Sequence, residues 1–338
     1  MGGIEVPHVL VAGGIHDAGL ALLRDEPEYT FELIEESSPD PYKHAIDRAD
    51  AVILRTQPMT AELIDRAIRL KVVSRHGVGY DAVNVASLSA RGIPLTIVGD
   101  INSVSVAEHT IMLVLAVAKR TLAYDAATRK SGWVYRNSFD AIELHGKLLL
   151  VVGFGRIGRA VARIAKGFGM RILAHDPYVG ADIMQMAGVT QASEIGPALE
   201  VADVVTLHIP LSDGRAVIGA TELARMKPSA ILVNAARGGL VDEAALAAAL
   251  SAGRLAGAGL DVFAFEPPSS THPLLTSGRT VLSPHSAGLT SECAARMSVA
   301  SVQNILDFFA GRLDSALVVN AQSLLPKAQP DGDRPLVR

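Results

Sequence analysis

The chain has 338 residues, a length that as a prior fits two domains. Hydrophobic residues make up 49% and charged residues 20%, ample for buried cores, and the formal net charge of −4 argues against a general nucleic-acid surface. The single cysteine, Cys293, excludes a disulfide framework and a multi-cysteine metal site, and no metal is expected.

Residues 1–6 carry no basic segment leading into a long apolar one, and Val6 stands where a myristoylation signal needs Ser or Thr. No apolar run reaches about 18 residues, so the expectation is a cytoplasmic protein with no membrane partner. "HVLVAGG" (8–14) reads as a strand and Asp17 to Arg24 as a helix. "AVILRT" (51–56) is a second strand, "AELIDRAIRL" (61–70) a helix, and "KVVSRHGVG" (71–79) a strand running into a glycine turn. Alternating strands and helices imply a parallel sheet. Gly13 and Gly14 lack the third glycine of a phosphate loop. In "SVAEHTIMLVLAVAKR" (105–120), Ser105 and Glu108 have capping-box spacing, and Ile111 to Ala118 is apolar on every face. That helix is expected to be buried all round, between domains or subunits. His109 within it reads as a satisfied core or interface histidine, and Trp133 as the anchor of a loop or subunit contact.

"LLLVVGFGRIGRA" (148–160) restarts the alternation. Gly153, Gly155 and Gly158 fit G-x-G-x-x-G between a strand and a helix pattern, which predicts a dinucleotide site. Asp176 ends the next strand, where an acid binds ribose hydroxyls and repels a 2′-phosphate, so NAD is the expected cofactor rather than NADP. "RILAHDP", "DVVTLHIP", "AILVNAAR", "AGAGLDVF" and "TVLSPH" follow as strands, and "VDEAALAAAL" as a helix with acids in its first turn. A long helix, roughly Ser291 to Ala310, precedes "SALVVN" (315–320), a strand placed to return to the first sheet. The tail beyond Pro326 is expected to be disordered. The predicted fold is α/β with two doubly wound parallel-sheet domains. A Rossmann domain, residues 102–289, would be inserted into a flavodoxin-like substrate domain, residues 1–101 and 290–338.

Ligands in open parallel sheets bind beyond the carboxyl ends of the strands. Arg237, Glu266 and His285 follow three such strands. Hydride transfer to a 2-keto acid needs a proton donor, which His285 supplies in the useful pH range. A carboxylate beside it, Glu266, favours the protonated ring and fixes its orientation. Arg237 grips a carboxylate and polarises the carbonyl. Arg55, Arg75 and Arg136 are candidates for a phosphate at the far end of the substrate. Cys293 reads as core.

The stretches "VGFGRIGRAVA", "NAARGGLVDEAAL", "GLDVFAFEPP" and "SPHSAGLT" resemble the D-2-hydroxyacid dehydrogenase family. With "RHGVGYDAVNV" and "NSVSVAEHT" added, the likeness is closest to its phosphoglycerate dehydrogenase branch, from about Val52 to Phe309. The resemblance implies that Arg237, Glu266 and His285 are catalytic. It implies that the amides near Val78 and Gly79 hold the substrate carboxylate, that Arg55 contacts a phosphate, and that Asn102 lies near the substrate. Arg156 and Ile157 would lie on the pyrophosphate, His208 and Pro210 on the adenine side, and Ala235 and Asp261 at the nicotinamide, with Asp261 holding its carboxamide. A homodimer or dimer of dimers is implied. Glu266 stands where formate dehydrogenases carry Gln, and Arg75 and His76 where phosphite dehydrogenases place a Lys. With the chain ending at Arg338, regulation through a C-terminal domain is not expected. The alternatives are a hydroxypyruvate or glyoxylate reductase and, of another class, an NAD-sensing corepressor.

Overall fold

The computed structural model describes residues 6–35, 39–211 and 214–324; the tail expected to be disordered lies outside them. Contacts divide the chain into two compact units, Met1–Ile101 with Ala294–Arg338, and Asn102–Cys293.

The first unit holds a five-stranded parallel sheet: β1 (His8–Ala12), β2 (Thr30–Ile34), β3 (Ala51–Leu54), β4 (Val72–Arg75) and β5 (Leu95–Thr96), in the order β2-β1-β3-β4-β5. Its central strands β1 and β3 are apolar on both faces because helices cover both. Leu10, Ala12, Val52 and Leu54 meet the helices Pro39–Ala45, Ala61–Arg66 and Val85–Ala90. Val9, Val11, Ala51 and Ile53 meet Asp17–Arg24 and the long helix Ser291–Phe309 through Leu20, Leu23, Val302 and Ile305. "SALVVN" does not form the expected strand. Asp314 accepts from the Ala316 amide at 2.9 Å and bends Ser315–Leu317 into a 3-10 turn. A single antiparallel bridge, Val318 to Thr96, two backbone hydrogen bonds and the Leu95 amide donating to Asn320 Oδ1 then cover the β5 edge.

The second unit holds a seven-stranded parallel sheet: β6 (Leu148–Val152), β7 (Arg171–His175), β8 (Thr190–Gln191), β9 (Val204–Leu207), β10 (Ile231–Asn234), β11 (Gly257–Leu260) and β12 (Thr280–Leu282). Their order is β12-β11-β10-β9-β6-β7-β8. Leu150, Val152, Val205 and Leu207 pack under the helices Ile195–Val201, Ala220–Arg225 and Glu243–Ser251. Leu149, Val151, Val204 and Val233 pack under Ser103–Ala118 and Arg156–Gly167. The order reverses between β6 and β9, a switch point where the crevice beyond the strand ends opens.

The helix Ser103–Ala118 differs from expectation in two ways. It starts two residues before Ser105, with Asn102 at its N-cap, so Ser105 is buried inside it and shares a hydrogen bond with the Thr290 hydroxyl at 3.3 Å instead of capping. Within the chain it is not buried all round: Ile111, Leu113, Val114, Val117 and Ala118 face the core, but Val104, Glu108 and Met112 form an exposed stripe. An apolar residue and a buried one cannot be told apart from periodicity when a whole helix is apolar. The helix Thr121–Arg129 and the 3-10 turn Trp133–Ser138 bury none of their residues.

The glycine loop is closely packed on its own backbone. Gly153 has φ +93°, and a Cβ on Gly158 would lie 2.1 Å from the Gly153 carbonyl oxygen. Gly158→Ala should therefore destabilise by about 1–3 kcal/mol in urea unfolding. Gly167, on the same helix, would meet nothing within 4 Å, and Gly167→Ala should be neutral or stabilising by up to about 1 kcal/mol. Equal stability of both variants would refute the close approach.

Candidate active site

The second unit carries the dinucleotide motif. The helix Arg156–Gly167 begins at Gly155 with no side chain capping its first amides, so these donors and the helix dipole are open to an anion. A Cβ on Gly155 would meet nothing, whereas one on Gly153 would strike the His208 carbonyl at 2.5 Å. The loop is thus packed on one side and open on the other, a cradle for a diphosphate. Asp176 ends β7 and accepts from the Phe154 amide at 2.8 Å and the Tyr178 amide at 2.9 Å. Its carboxylate is tied to the glycine turn and keeps further lone pairs for ribose hydroxyls. Arg156 is exposed at the first helical turn, and Ile157 packs on Val106, Ala235 and Ala287. His208 follows β9 with both ring nitrogens shielded and unpartnered among the described residues. Burial pushes that ring down to about 3, so it is neutral. Pro210, two residues on, is exposed. These residues fit a bound dinucleotide.

Glu266 and His285 come together beside it. His285 Nδ1 lies 2.6 Å from Glu266 Oε2, and the Phe263 amide donates to Glu266 Oε1 at 3.0 Å. Burial works to raise the Glu266 carboxyl. The hydrogen bonds from His285 and Phe263, with the charges of His285 and Arg237, outweigh it and hold the group below the usual glutamate range. An ionised carboxylate only accepts, so Nδ1 carries the shared proton and Nε2 is left for other chemistry. The His285 side chain is 55% exposed. A cavity of about 440 Å³ opens beside the pair, with Phe263, Pro267, Leu275, Leu282 and Pro284 in its walls.

Arg237 lies in the loop after β10. Asn234 shapes that loop: its Nδ2 donates to the Arg237 carbonyl at 2.8 Å and its Oδ1 accepts from the Ala236 amide at 3.1 Å. The next residue, Gly238, lies so close to the Phe263 carbonyl that a Cβ would sit 1.8 Å from its oxygen. The Arg237 loop and the Glu266 loop are therefore locked together. Glu243 adds a second hold, accepting from the Ala264 amide at 2.7 Å and from His272 at 3.0 Å. Asn234, Gly238, Glu243 and His272 were not singled out in the sequence; their signal, a polar or small residue within three residues of a motif, is too common to read. Asp261 is buried and accepts from Ser283, Ser286 and Ala287, and Ala235 is buried beside β10. Asn102 has a buried Oδ1 with no partner among the described residues.

In the first unit, the loops after β1, β3 and β4 share one sheet edge. Arg55 follows β3 at the switch point of the sheet and donates one Nη to the Gly14 carbonyl; its other N–H groups bond no acceptor among the described residues. Arg75 is engaged differently. Its Nε donates to the Gly79 carbonyl at 2.7 Å, and Nη1 to those of Leu54 at 2.9 Å and His76 at 3.2 Å. Arg75 braces the loop 76–79 rather than pointing its guanidinium outward. The Val78 and Gly79 amides in that loop donate to no acceptor among the described residues. His76 is pushed down to about 4 by burial and then by the charges of Arg55 and Arg75, and its neutral ring shares a hydrogen bond with the Ser298 hydroxyl at 3.0 Å. Arg136 is exposed in the 3-10 turn Trp133–Ser138. Among the described residues no cluster of potential metal ligands forms, and no helix is long and apolar enough to cross a membrane. Cys293 is buried.

Comparison with known proteins accounts for this architecture. Residues 111–287 match the model of the D-isomer specific 2-hydroxyacid dehydrogenase NAD binding domain. Over 92% of its length the chain is 36% identical to a D-3-phosphoglycerate dehydrogenase of Methanocaldococcus jannaschii, of which it spans 59%. It is 37% identical to a glyoxylate reductase of Korarchaeum cryptofilum, covering 92% of this chain and 96% of that one. The crystal structure of the TT0316 protein from Thermus thermophilus superposes with a TM-score of 0.85 at 33% identity, covering 92% of this chain and 99% of that one. An NAD-binding switch point, a His–Glu pair and these similarities agree: the chain belongs to the D-isomer-specific 2-hydroxyacid dehydrogenase family.

Proposed function

We propose that the chain interconverts a D-2-hydroxy acid and its 2-keto acid with NAD, and that its substrate is phosphorylated as in phosphoglycerate dehydrogenases. The 2.6 Å contact between His285 and Glu266 carries the reaction assignment. When bound, the dinucleotide supplies or accepts the hydride. In reduction His285 gives the Nε2 proton to the carbonyl oxygen as the alkoxide forms, and Glu266 stabilises the imidazolium beforehand. Arg237 draws electron density toward that oxygen and neutralises the carboxylate. The Val78 and Gly79 amides hold the carboxylate in this reading. Asp176 accepts from the adenosine ribose, Arg156 and Ile157 border the pyrophosphate, and Asp261 takes the nicotinamide carboxamide. His208 and Pro210 lie on the adenine side and Ala235 faces the nicotinamide, while Asn102 stands near the substrate.

Two observations bear on the substrate. Arg55 has unused N–H donors at the switch point of its sheet, which supports a phosphate reader; the Arg75 donors described above are committed to carbonyls. Similarity to a glyoxylate reductase over 96% of that protein's length favours the second reading, a small-keto-acid reductase. Oxidation of NADH and NADPH with 3-phosphohydroxypyruvate, hydroxypyruvate and glyoxylate should separate them. The phosphorylated acid should give the highest kcat/KM, Arg55→Ala should lower it by roughly 10- to 100-fold for that acid alone, since a charge-assisted pair is worth about 1.5–3 kcal/mol, and NADPH should become usable only in Asp176→Ala. Glyoxylate turned over as well as the phosphorylated acid would replace this reading with the reductase.

The lowered Glu266 carboxyl sets the pH behaviour. Because its folded value lies below its unfolded one, the stabilisation from the pair is present above the unfolded value and is lost as pH falls through the folded one. Glu266 therefore stays ionised through the working range. Glu266→Gln keeps the shape and removes the charge. The alkaline limb of keto-acid reduction should move to lower pH, and hydroxy-acid oxidation should extend to lower pH. Unmoved profiles would show that Glu266 is not the partner of His285.

The exposed arm supports a homodimer or dimer of dimers. Trp133, Val134 and Phe139 are 69–87% exposed, and Val104 and Met112 on the helix Ser103–Ala118 are exposed as well. Sedimentation velocity should show a dimer or tetramer at micromolar concentration, and Trp133→Glu with Val134→Glu should shift it toward monomer. A wild-type monomer would remove the arm from this role.

A further inference from the structure

The turn that presents His285 is held in an unusual way. His285 has φ +52°, a left-handed conformation that costs a residue with a Cβ about 1–2 kcal/mol. Three successive amides of this turn are gripped by one residue. His285 N donates to the Asp261 carbonyl at 2.7 Å, Ser286 N to Asp261 Oδ1 at 2.9 Å, and Ala287 N to Asp261 Oδ2 at 2.9 Å. The Asp261 side chain thus decides where the His285 ring points, and its own orientation must be fixed.

Two groups outside the turn's grip fix it. Ser283 Oγ donates to Asp261 Oδ1 at 2.6 Å, and His109 Nε2 lies 2.8 Å from Ser283 Oγ and 3.5 Å from Asp261 Oδ1. The proton arrangement follows from these contacts. A carboxylate only accepts, so the Ser283 hydrogen lies toward Asp261. Ser283 Oγ must then accept from the ring, so His109 carries a hydrogen on Nε2. The result is a directed chain, His109 to Ser283 to Asp261, ending on the carboxylate that holds the turn. His109 sits on the helix Ser103–Ala118, which is packed against the sheet through Leu113 and Val114 and supplies a rigid origin for the chain.

We propose that His109 and Ser283 are positioning residues that fix Asp261 and, through it, the left-handed turn that presents the His285 ring to Glu266. His109 was expected to be only a satisfied core or interface histidine; its partners give it a role at the catalytic pair. The inference rests on the reading of His285 as the acid–base group. The charged groups acting on Glu266 are His285 and Arg237, and the Asp261 carboxylate, with His109 behind it, stands against the turn that carries His285.

The test uses the full-length protein with His109→Phe, His109→Gln and Ser283→Ala. Amide hydrogen exchange across residues 285–287 reports the turn without any turnover, and the pH profile of keto-acid reduction reports the ring. His109→Phe and Ser283→Ala should speed exchange by about tenfold. They should lower kcat by roughly 10- to 100-fold, because a misplacement near 1 Å has that effect, and leave the dissociation constant for NADH, read by nicotinamide fluorescence, within about threefold. Their alkaline limb should move to lower pH, as in Glu266→Gln. His109→Gln keeps an N–H donor and should recover most of both properties. Unchanged exchange with an unmoved limb would overturn the proposal, as would a fall in kcat with the limb in place, or a Gln variant no better than Phe. A wild-type protein that reduces no keto acid would sink the acid–base reading instead, and the exchange arm would still decide whether His109 holds the turn.

Discussion

In a parallel sheet every strand leaves at the same edge, and that constraint governs where chemistry is placed in this chain. β6, β7, β9, β10, β11 and β12 deliver the glycine loop, Asp176, His208, Arg237, Asp261 and His285 to one edge of one sheet. No long-range search in sequence is needed to bring them together; the hydrogen-bond register does it. What the sheet does not set is orientation. That falls to short contacts between neighbouring loops: the Gly238 backbone against Phe263, the Glu243 carboxylate on Ala264, and the Asp261 carboxylate on residues 285–287. Each lies within a few ångströms of a residue proposed to react, so orientation is specified locally while placement is specified by topology.

The electrostatics of the pair follow from that arrangement. A glutamate partly withdrawn from water would normally tend toward its neutral form. Here two donors and two cationic groups reverse the tendency. The outcome is an acceptor of fixed charge behind an imidazole whose far nitrogen faces outward. His208 and His76 show the opposite case. Both are buried without a carboxylate, and both are held neutral. An anion beside the ring is what separates His285, paired with Glu266, from His208 and His76, which burial keeps neutral.

Much of this was legible from residues alone. The glycine spacing, Asp176 at a strand end, and the Arg, Glu and His after three strands are local patterns tied to a backbone period of two. What was not legible depended on length or on non-local partners. β2, β5 and β8 were missed: β5 and β8 have two residues each, too short to show alternation, and "TFELI" mixes charge into an edge strand. The start of the helix Ser103–Ala118 was misplaced because Ser105 matches a cap by spacing but is packed against Thr290, 185 positions away. The exposed stripe on that helix was hidden because an all-apolar segment has no polar face to mark the outside.

Arg55 and Arg75 show how far residue type can carry a reading. Each ends a strand of the same sheet, and by residue type both are candidates for a phosphate, with Arg55 preferred only through the family resemblance. The difference lies in what surrounds the guanidinium. The Arg75 side chain turns back along its own loop and meets the carbonyls of Leu54, His76 and Gly79, which satisfy Nε and Nη1. A guanidinium so engaged stiffens the backbone around the Val78 and Gly79 amides and adds positive potential there, which suits a carboxylate held by main-chain donors. Arg55 meets one carbonyl, from Gly14, and retains donors. An arginine braced on carbonyls and an arginine with donors to offer are different chemical groups, so under the proposed function a substrate phosphate would fall to Arg55, and Arg75 would act through the loop it supports.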